Sequence, residues 1–352
     1  MNKRIVTLIL LIGLVLALGY VKYAAAAKKD TKESPIVIGF SMATLKEERW
    51  QRDRDLFVKR AKELGAAVIV EDANADSKLQ ERQVESLILQ GVDTLVVVPE
   101  DEKVIAPLVK KAHENGIKVV AYDRLISDCE LDAYITFDYV KAGQQQAEAV
   151  LKVAEKGNFA IVLGADTDAT VYMQKEGVEK VLAPKVEKGE VKIVFEEFTS
   201  DWKPEVAYQN IKKYLQTNTR LDGVISLNDG MAFGVIQALQ EYGLAGKIPI
   251  SGMDAELAGC QRIVEGIQTQ TSYLPVNLQA YKAAEVAVAL AKSQEVKFNG
   301  KTNNKMIDVP TYFLEPISVT KDNMMDTIIK DGFHSYEEVY KNVPENKRPP
   351  KK

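Results

Sequence analysis

Short apolar runs rich in β-branched residues alternate with amphipathic segments that stop on a glycine, and this alternation narrows the folds open to the chain more than any other feature. Ile36–Met42, Ala67–Glu71, Thr94–Val98, Ile117–Ala121 and Tyr134–Phe137 read as strands. The helices between them span about 50–64, 78–89 and 104–115, with Gly65, Gly91 and Gly116 at their ends. Glycine closes a helix in the left-handed conformation at little steric cost. Strands that are apolar throughout, each followed by a helix, predict a parallel sheet covered on both faces. The pattern then restarts. Phe159–Leu163, Lys192–Phe195, Gly223–Leu227 and Ile248–Ser251 are strands, with helices at about 170–182, 204–215, 231–242 and 257–266. Leu278–Ser293 reads as a long alanine-rich helix and Pro310–Val319 as a late strand. The alternation therefore predicts the α/β fold class with two doubly wound parallel-sheet lobes. The expected connection between them is three hinge segments.

With 352 residues, two such lobes fit the length. The expected boundaries are 36–138 plus 275–308 for the first lobe and 139–274 plus 309–334 for the second. The hinges then lie near Asp138, Ser272–Pro275 and Asp308–Pro310, and a polar, solvated tail occupies 335–352. Residues 1–29 stand apart. Met1-Asn-Lys-Arg4 is followed by an apolar run from Ile5 to Val21 and by Ala24-Ala-Ala-Ala27. This is the layout of a secretory signal. The apolar run is slightly long for a cleaved signal and slightly short for a membrane span, which leaves an uncleaved anchor as the alternative. Export is the expectation, and no cysteine near this segment offers a site for a lipid. A net charge of −4 with both signs interspersed leaves no basic stripe for nucleic acid. Two cysteines, Cys129 and Cys260, are no disulfide framework.

Charged, amide and aromatic residues collect immediately after the strands, at the edge where open α/β sheets bind ligands. Lys46, Arg49 and Trp50 follow the first strand, Tyr122-Asp-Arg124 the fourth and Asp138 the fifth. In the second half Ala165-Asp-Thr-Asp168, Ser200-Asp-Trp202, Asn228-Asp229 and Met253-Asp254 follow successive strands. Carboxylates accept from hydroxyls, amides both accept and donate, guanidinium forks donate, and indole faces cover the C–H side of a sugar ring. That set fits a small neutral polyol. It fits phosphate poorly, because the carboxylates repel an anion and no glycine-rich cradle is present. Singly, each residue has a plainer role: Asp168 or Asp229 as a helix cap, Arg124 as the partner of an acid, Trp202 as a core plug. His113 and His334 lie away from the strand ends, and no nucleophile elbow, zinc motif or Cys-x-x-Cys occurs. Asp166 and Asp168 could serve a glycosidase, a weaker reading than reversible binding. No catalytic residue, metal or cofactor is expected.

Several segments resemble the periplasmic sugar-binding proteins of the ribose and galactose type, and within them the D-xylose branch that serves bacterial ABC transporters. They are Glu48-Arg-Trp-Gln51 with Asp53-Arg-Asp55, Gly91-Val-Asp-Thr-Leu-Val-Val-Val-Pro99, Gly116-Ile-Lys-Val-Val-Ala-Tyr-Asp-Arg124, Tyr134-Ile-Thr-Phe-Asp138, Leu227-Asn-Asp229, Ile250-Ser-Gly-Met-Asp-Ala-Glu-Leu-Ala-Gly259 and Ile328-Ile-Lys-Asp-Gly-Phe-His334. The resemblance implies sugar contacts from Arg49, Trp50, Asp123, Arg124, Asp168, Trp202, Asn228 and Asp254, with the two tryptophans sandwiching the ring. It implies two departures: Thr170 stands where the family has asparagine, and Leu274 where it has lysine. The implied ligand is D-xylose or a related monosaccharide. The implied partner is a transporter permease or, for an anchored sensor, the ectodomain of a membrane histidine kinase.

Overall fold

The computed structural model describes residues 35–217 and 220–351; the expected signal or anchor at 1–29 lies outside them. Val37–Lys352 forms one compact unit. Its first sheet contains β1 (Val37–Met42), β2 (Ala67–Asp72), β3 (Thr94–Val97), β4 (Lys118–Tyr122) and β5 (Ala133–Phe137). They are joined by β10 (Gly300–Asn303) and β11 (Asp308–Leu314) in the order β10-β11-β5-β4-β3-β1-β2. All neighbours run parallel except β10 with β11. Every residue of β3 and β5 is buried, as strands covered on both faces require.

Three helices cover this sheet between the strands: α1 (Glu48–Glu63), α2 (Ser77–Leu89) and α3 (Ala106–Glu114). α1 turns Trp50, Asp53, Phe57 and Ala61 inward at helical spacing, and the Phe57 ring meets Phe40 of β1 at 4.4 Å. A buried aspartate in that stripe is the first sign that the helix start serves more than packing.

The second sheet is smaller: β6 (Gly157–Leu163), β7 (Val191–Phe198) and β8 (Gly223–Ser226), parallel in the order β7-β6-β8. The expected strand at Ile248–Ser251 reduces to one bridge, Val224 with Ile250, because a single register position is all that meets β8. Around this sheet pack α4 (Tyr139–Val153), α5 (Ala169–Glu187), α6 (Pro204–Thr217) and α7 (Asp229–Glu241), followed by α8 (Leu257–Glu265). α4 and α5 touch backbone to backbone: a Cβ on Gly143 or Gly177 would collide with the carbonyl of Gln174 or Val140. Beyond β9 (Thr271–Tyr273) the chain returns to the first sheet as α9 (Val276–Ala291), which packs on α1. β12 (Ile317–Val319) pairs antiparallel with β9.

Two expectations need correction. The third crossing does not fall at Asp308–Pro310. β11 pairs in parallel with β5 from Thr311 to Leu314, so the chain stays in the first sheet and leaves it at Glu315–Pro316. Pro310 precedes that ladder, so its missing N–H forfeits no bond to β5. Nor is the stretch from Ser335 a solvated tail. A capping box between Ser335 and Glu338 starts α10 (Tyr336–Val339), and Val339, Tyr340 and Val343 are buried in a core shared with Ile263, Tyr273 and Val319.

Candidate binding chamber

The edge where β1 and β4 end positions the first half of the site. Arg49 is 5% exposed, and its guanidinium pairs with Asp123, with Asp53 at 3.4 Å and with Asp254 at 3.4 Å. It also donates to the Tyr139 hydroxyl at 3.3 Å and to Gln279 Oε1 at 3.1 Å. Burial works against its charge, but Asp123, Tyr139, Asp53 and Asp254 outweigh that and hold its pKa well above the ordinary value. Asp123 accepts from Tyr139 at 2.7 Å and Gln279 at 3.1 Å, while its own carbonyl accepts from Tyr134 and Thr136. Burial raises Asp53 to about 7 against the pull of Arg49, and Tyr122 donates to it. The Arg49 and Arg124 guanidiniums lie 4.4 and 5.5 Å from the centroid of Trp50 and fix its ring.

The second half is held through the backbone. Asp168 caps α5: its Oδ1 accepts from the Thr170 N–H at 2.9 Å and the Thr170 hydroxyl at 2.7 Å, leaving Oδ2 to meet Arg124 Nε at 2.8 Å. Asn228, not Asp229, caps α7 through Oδ1, and its amide N–H groups have no partner among the described residues. Trp202 sits in a single turn, Ser200–Trp202, against Gly164, where any Cβ would collide with the indole. Its buried Nε1 has no partner. Asp254 holds a carboxyl raised to about 6, first by burial, with Arg49 opposing and Asp123 and Glu47 adding. Asp123, Trp202 and Asp254 all have positive φ (64°, 56° and 92°). Left-handed backbone on such residues costs of order 1–3 kcal/mol each and gathers where function over-determines it.

Beneath this half, Gln146 donates to the carbonyls of Ser226, Leu227 and Gly252, and Gln174 to that of Leu227. These buried amides tie the strand ends carrying Asn228 and Asp254 to α4 and α5. Asp229 turns away from the chamber, accepting from Gln268 at 2.6 Å, Thr271 at 2.9 Å and the Glu256 N–H at 3.1 Å.

All nine expected residues, Arg49, Trp50, Asp123, Arg124, Asp168, Thr170, Trp202, Asn228 and Asp254, line one chamber of about 400 Å³, its open mouth included. Met253, noted beside Asp254 at a strand end, lines it too, as do Glu47 and Tyr139, which sequence reasoning did not assign to the site. Tyr139 carried a signal: it follows the Asp138 singled out at the end of β5. Leu274 is fully buried beside Phe137 and Tyr139 and does not line the chamber. Two ion pairs, Arg49–Asp254 and Arg124–Asp168, join residues of the first sheet's edge to residues of the second's. The wall thus alternates donors and acceptors around two indoles. His113 lies elsewhere, 2.8 Å from Asp132, and His334 contacts the Ala255 carbonyl at 2.8 Å. Both cysteines are free and buried. Among the described residues no cluster of His, Cys, Asp or Glu could hold a metal ion, and no helix is long and apolar enough to cross a membrane.

Comparison with known proteins bears on this geometry. Residues 38–295 match the model of the periplasmic binding protein domain. The chain is 44% identical over 316 residues to the D-xylose-binding periplasmic protein of Escherichia coli (strain K12), covering 90% of this chain and 94% of that protein. It is 42% identical over 318 residues to the protein of the same name from Haemophilus influenzae, covering 90% and 94%. Among solved structures it superposes on an ABC transporter solute-binding protein from Clostridium phytofermentans with bound β-D-glucose. The TM-score there is 0.79 at 25% identity, over 86% of this chain and 99% of that one. A carbohydrate transporter solute-binding protein from Chloroflexus aurantiacus, in complex with D-glucose, gives 0.79 at 27% identity, over 87% and 98%. The chain belongs to the periplasmic binding protein family, with the type I fold.

Proposed function

We propose that the protein binds D-xylose outside the cytoplasm, closes its lobes around the sugar and presents the closed form to the permease of an ABC transporter. One observation carries this reading: side chains from the ends of two separate sheets line a single chamber in which guanidinium forks, carboxylates and two indoles face one another. The relatives named for D-xylose binding support the choice of sugar.

A sugar hydroxyl both donates and accepts, so it can lie between Arg49 and Asp254, or beside the Asn228 amide, and satisfy groups from both lobes. Closure then removes the ring from water and strengthens each of these bonds. Micromolar affinity needs about −8 kcal/mol. Several charge-assisted hydrogen bonds at roughly 1.5–3 kcal/mol each, together with the indole faces, supply that after the cost of ordering. Phosphorylated sugars are excluded, because Asp123, Asp168 and Asp254 repel a second anion. Thr170 spends its hydroxyl on Asp168 and so holds that carboxylate still. The segment 1–29 directs export and is either cleaved or kept as an anchor; amino-terminal sequencing of the exported protein distinguishes the two. Transport delivery is preferred to sensing through a histidine kinase because the solved structures that the chain resembles are named as solute-binding proteins of transporters.

Calorimetric titration tests the proposal. Trp202→Ala and Asp254→Ala each abolish D-xylose binding while the far-UV circular dichroism stays that of a folded α/β protein. Retained affinity in either variant removes that residue from the site.

A further inference from the structure

Glu47 occupies the N-cap position of α1 with the extended backbone usual there, but its side chain accepts no bond from the first turn. Its neighbour Glu48 pairs with Arg52 at 2.7 Å, whereas Glu47 makes no ion pair among the described residues. One of its oxygens, Oε2, is buried and has no hydrogen-bond partner among the described residues. A buried acceptor left unpaired is costly and uncommon in a folded protein. Its charge adds to the discomfort, since it pushes the carboxyls of Asp254, Glu100 and Glu256 upward, and Arg124 is the cation that feels it. A cap and a salt bridge are thus both unfilled among the described residues.

Position supplies the missing role. Glu47 lines the chamber and also both of the spaces that flank it, one reaching toward Phe233 and Arg262, the other toward Ala75 and Lys203. Trp202 lines the same three spaces from the opposite lobe, and its Nε1–H is the complementary orphan, a buried donor without an acceptor. Glu47 and Trp202 thus line the same mouth, one from each lobe.

We propose that Glu47 is a ligand-contacting and specificity-determining residue: its carboxylate accepts a hydrogen bond from a hydroxyl at the mouth-facing end of the bound sugar. The inference rests on the sugar-binding reading and deepens it. An ionised carboxylate only accepts, so the oxygen opposite it must carry hydrogen. A free hydroxyl satisfies Glu47 and an ether oxygen does not, so Glu47 selects an unsubstituted sugar over one O-alkylated or glycosidically extended at that position.

Calorimetry on the full-length protein tests this with D-xylose and its singly O-methylated ethers, against wild type, Glu47→Gln and Glu47→Ala. Glu47→Ala weakens D-xylose binding about 10- to 100-fold, and Glu47→Gln, whose amide oxygen still accepts, loses less. For one ether, the loss relative to D-xylose seen in the wild type disappears in Glu47→Ala, a coupling that a purely structural role would not produce. Unfolding midpoints at or above the wild-type value keep misfolding out of the interpretation. If Glu47→Ala binds D-xylose as tightly as wild type, or if every ether shows the same loss in both proteins, the inference falls and the functional reading stands. If the wild type binds no D-xylose, both fall.

Discussion

The two walls of the chamber are built on opposite plans. On the first lobe, Arg49, Asp123, Asp53, Tyr139 and Gln279 hold one another in a buried side-chain network, so each group's partner is another side chain. On the second, Asp168 and Asn228 are held by helix amides, and Trp202 and Asp254 by left-handed backbone. A carboxylate or amide fixed through one oxygen keeps its other atom for use: Asp168 gives Oδ1 to Thr170 and Oδ2 to Arg124. A residue can therefore be a helix cap and a binding residue at once, and the plainer reading of such a side chain does not compete with the functional one. The contrast also implies that damage to the first wall reaches the fold, while damage to the second reaches mainly the ligand.

The largest effect tests that division at Asp123. Asp123→Ala strips Arg49 of its main counter-charge inside the protein, and breaking a buried pair in this way costs about 3–5 kcal/mol. Urea unfolding should show that loss together with abolished binding. Asn228→Ala tests the other wall. It removes a cap worth roughly 1 kcal/mol, so its midpoint moves little, while xylose affinity drops about tenfold or more in calorimetry with the amide gone. Equal stability losses in the two variants would erase the distinction.

A smaller effect comes from pH. Asp254 is raised to about 6, Asp53 and Asp229 to about 7, and Glu256 to about 8, in each case first by burial. A carboxyl raised in the folded state keeps a proton that the unfolded chain has already lost. The native state therefore binds more protons over this range, and the empty protein gains stability as pH falls from about 8 toward 5. Binding moves the other way: protonated Asp254 is a poorer acceptor, so affinity falls about three- to tenfold between pH 7 and about 5. Melting scans and titrations at the two pH values should show these opposite trends.

The smallest effect concerns the contact between the two lobes away from the chamber. Arg52 of α1 donates to the Phe333 carbonyl at 2.5 Å, stacks 4.3 Å from the Phe333 ring and lies 3.4 Å from His334 Nδ1. Arg52→Ala loosens closure without touching the chamber, so xylose affinity falls roughly threefold, mostly through faster release in stopped-flow measurements.

Periodicity made the two-sheet fold legible, and the strand-end rule brought up eight of the nine chamber residues, because the chemistry needed to bind a polyol differs from what a sheet edge needs for solubility. Thr170 came only from the resemblance to the sugar-binding family, and the rule also raised Asp138 and Asp229, which do not line the chamber. Other features stayed hidden for physical reasons. Glu47 sits among eight charges in eleven residues and looks like a solvated first turn. Gln146 and Gln174 look like surface amides, since nothing in their spacing reveals the carbonyls they hold. The run from Pro310 to Val319 reads as one strand, although Glu315-Pro316 marks where it passes from one sheet to the other. The closing segment is polar enough to pass for a tail because few of its described residues, chiefly Val339, Tyr340 and Val343, turn inward.

Titration of D-xylose into the chain from Asp30 to Lys352, with ribose, glucose and arabinose alongside, asks whether the two walls form one sugar site. Micromolar, xylose-selective heat that disappears in Trp202→Ala is the expected result. Silence with all four sugars, or undiminished heat in Trp202→Ala, would contradict it.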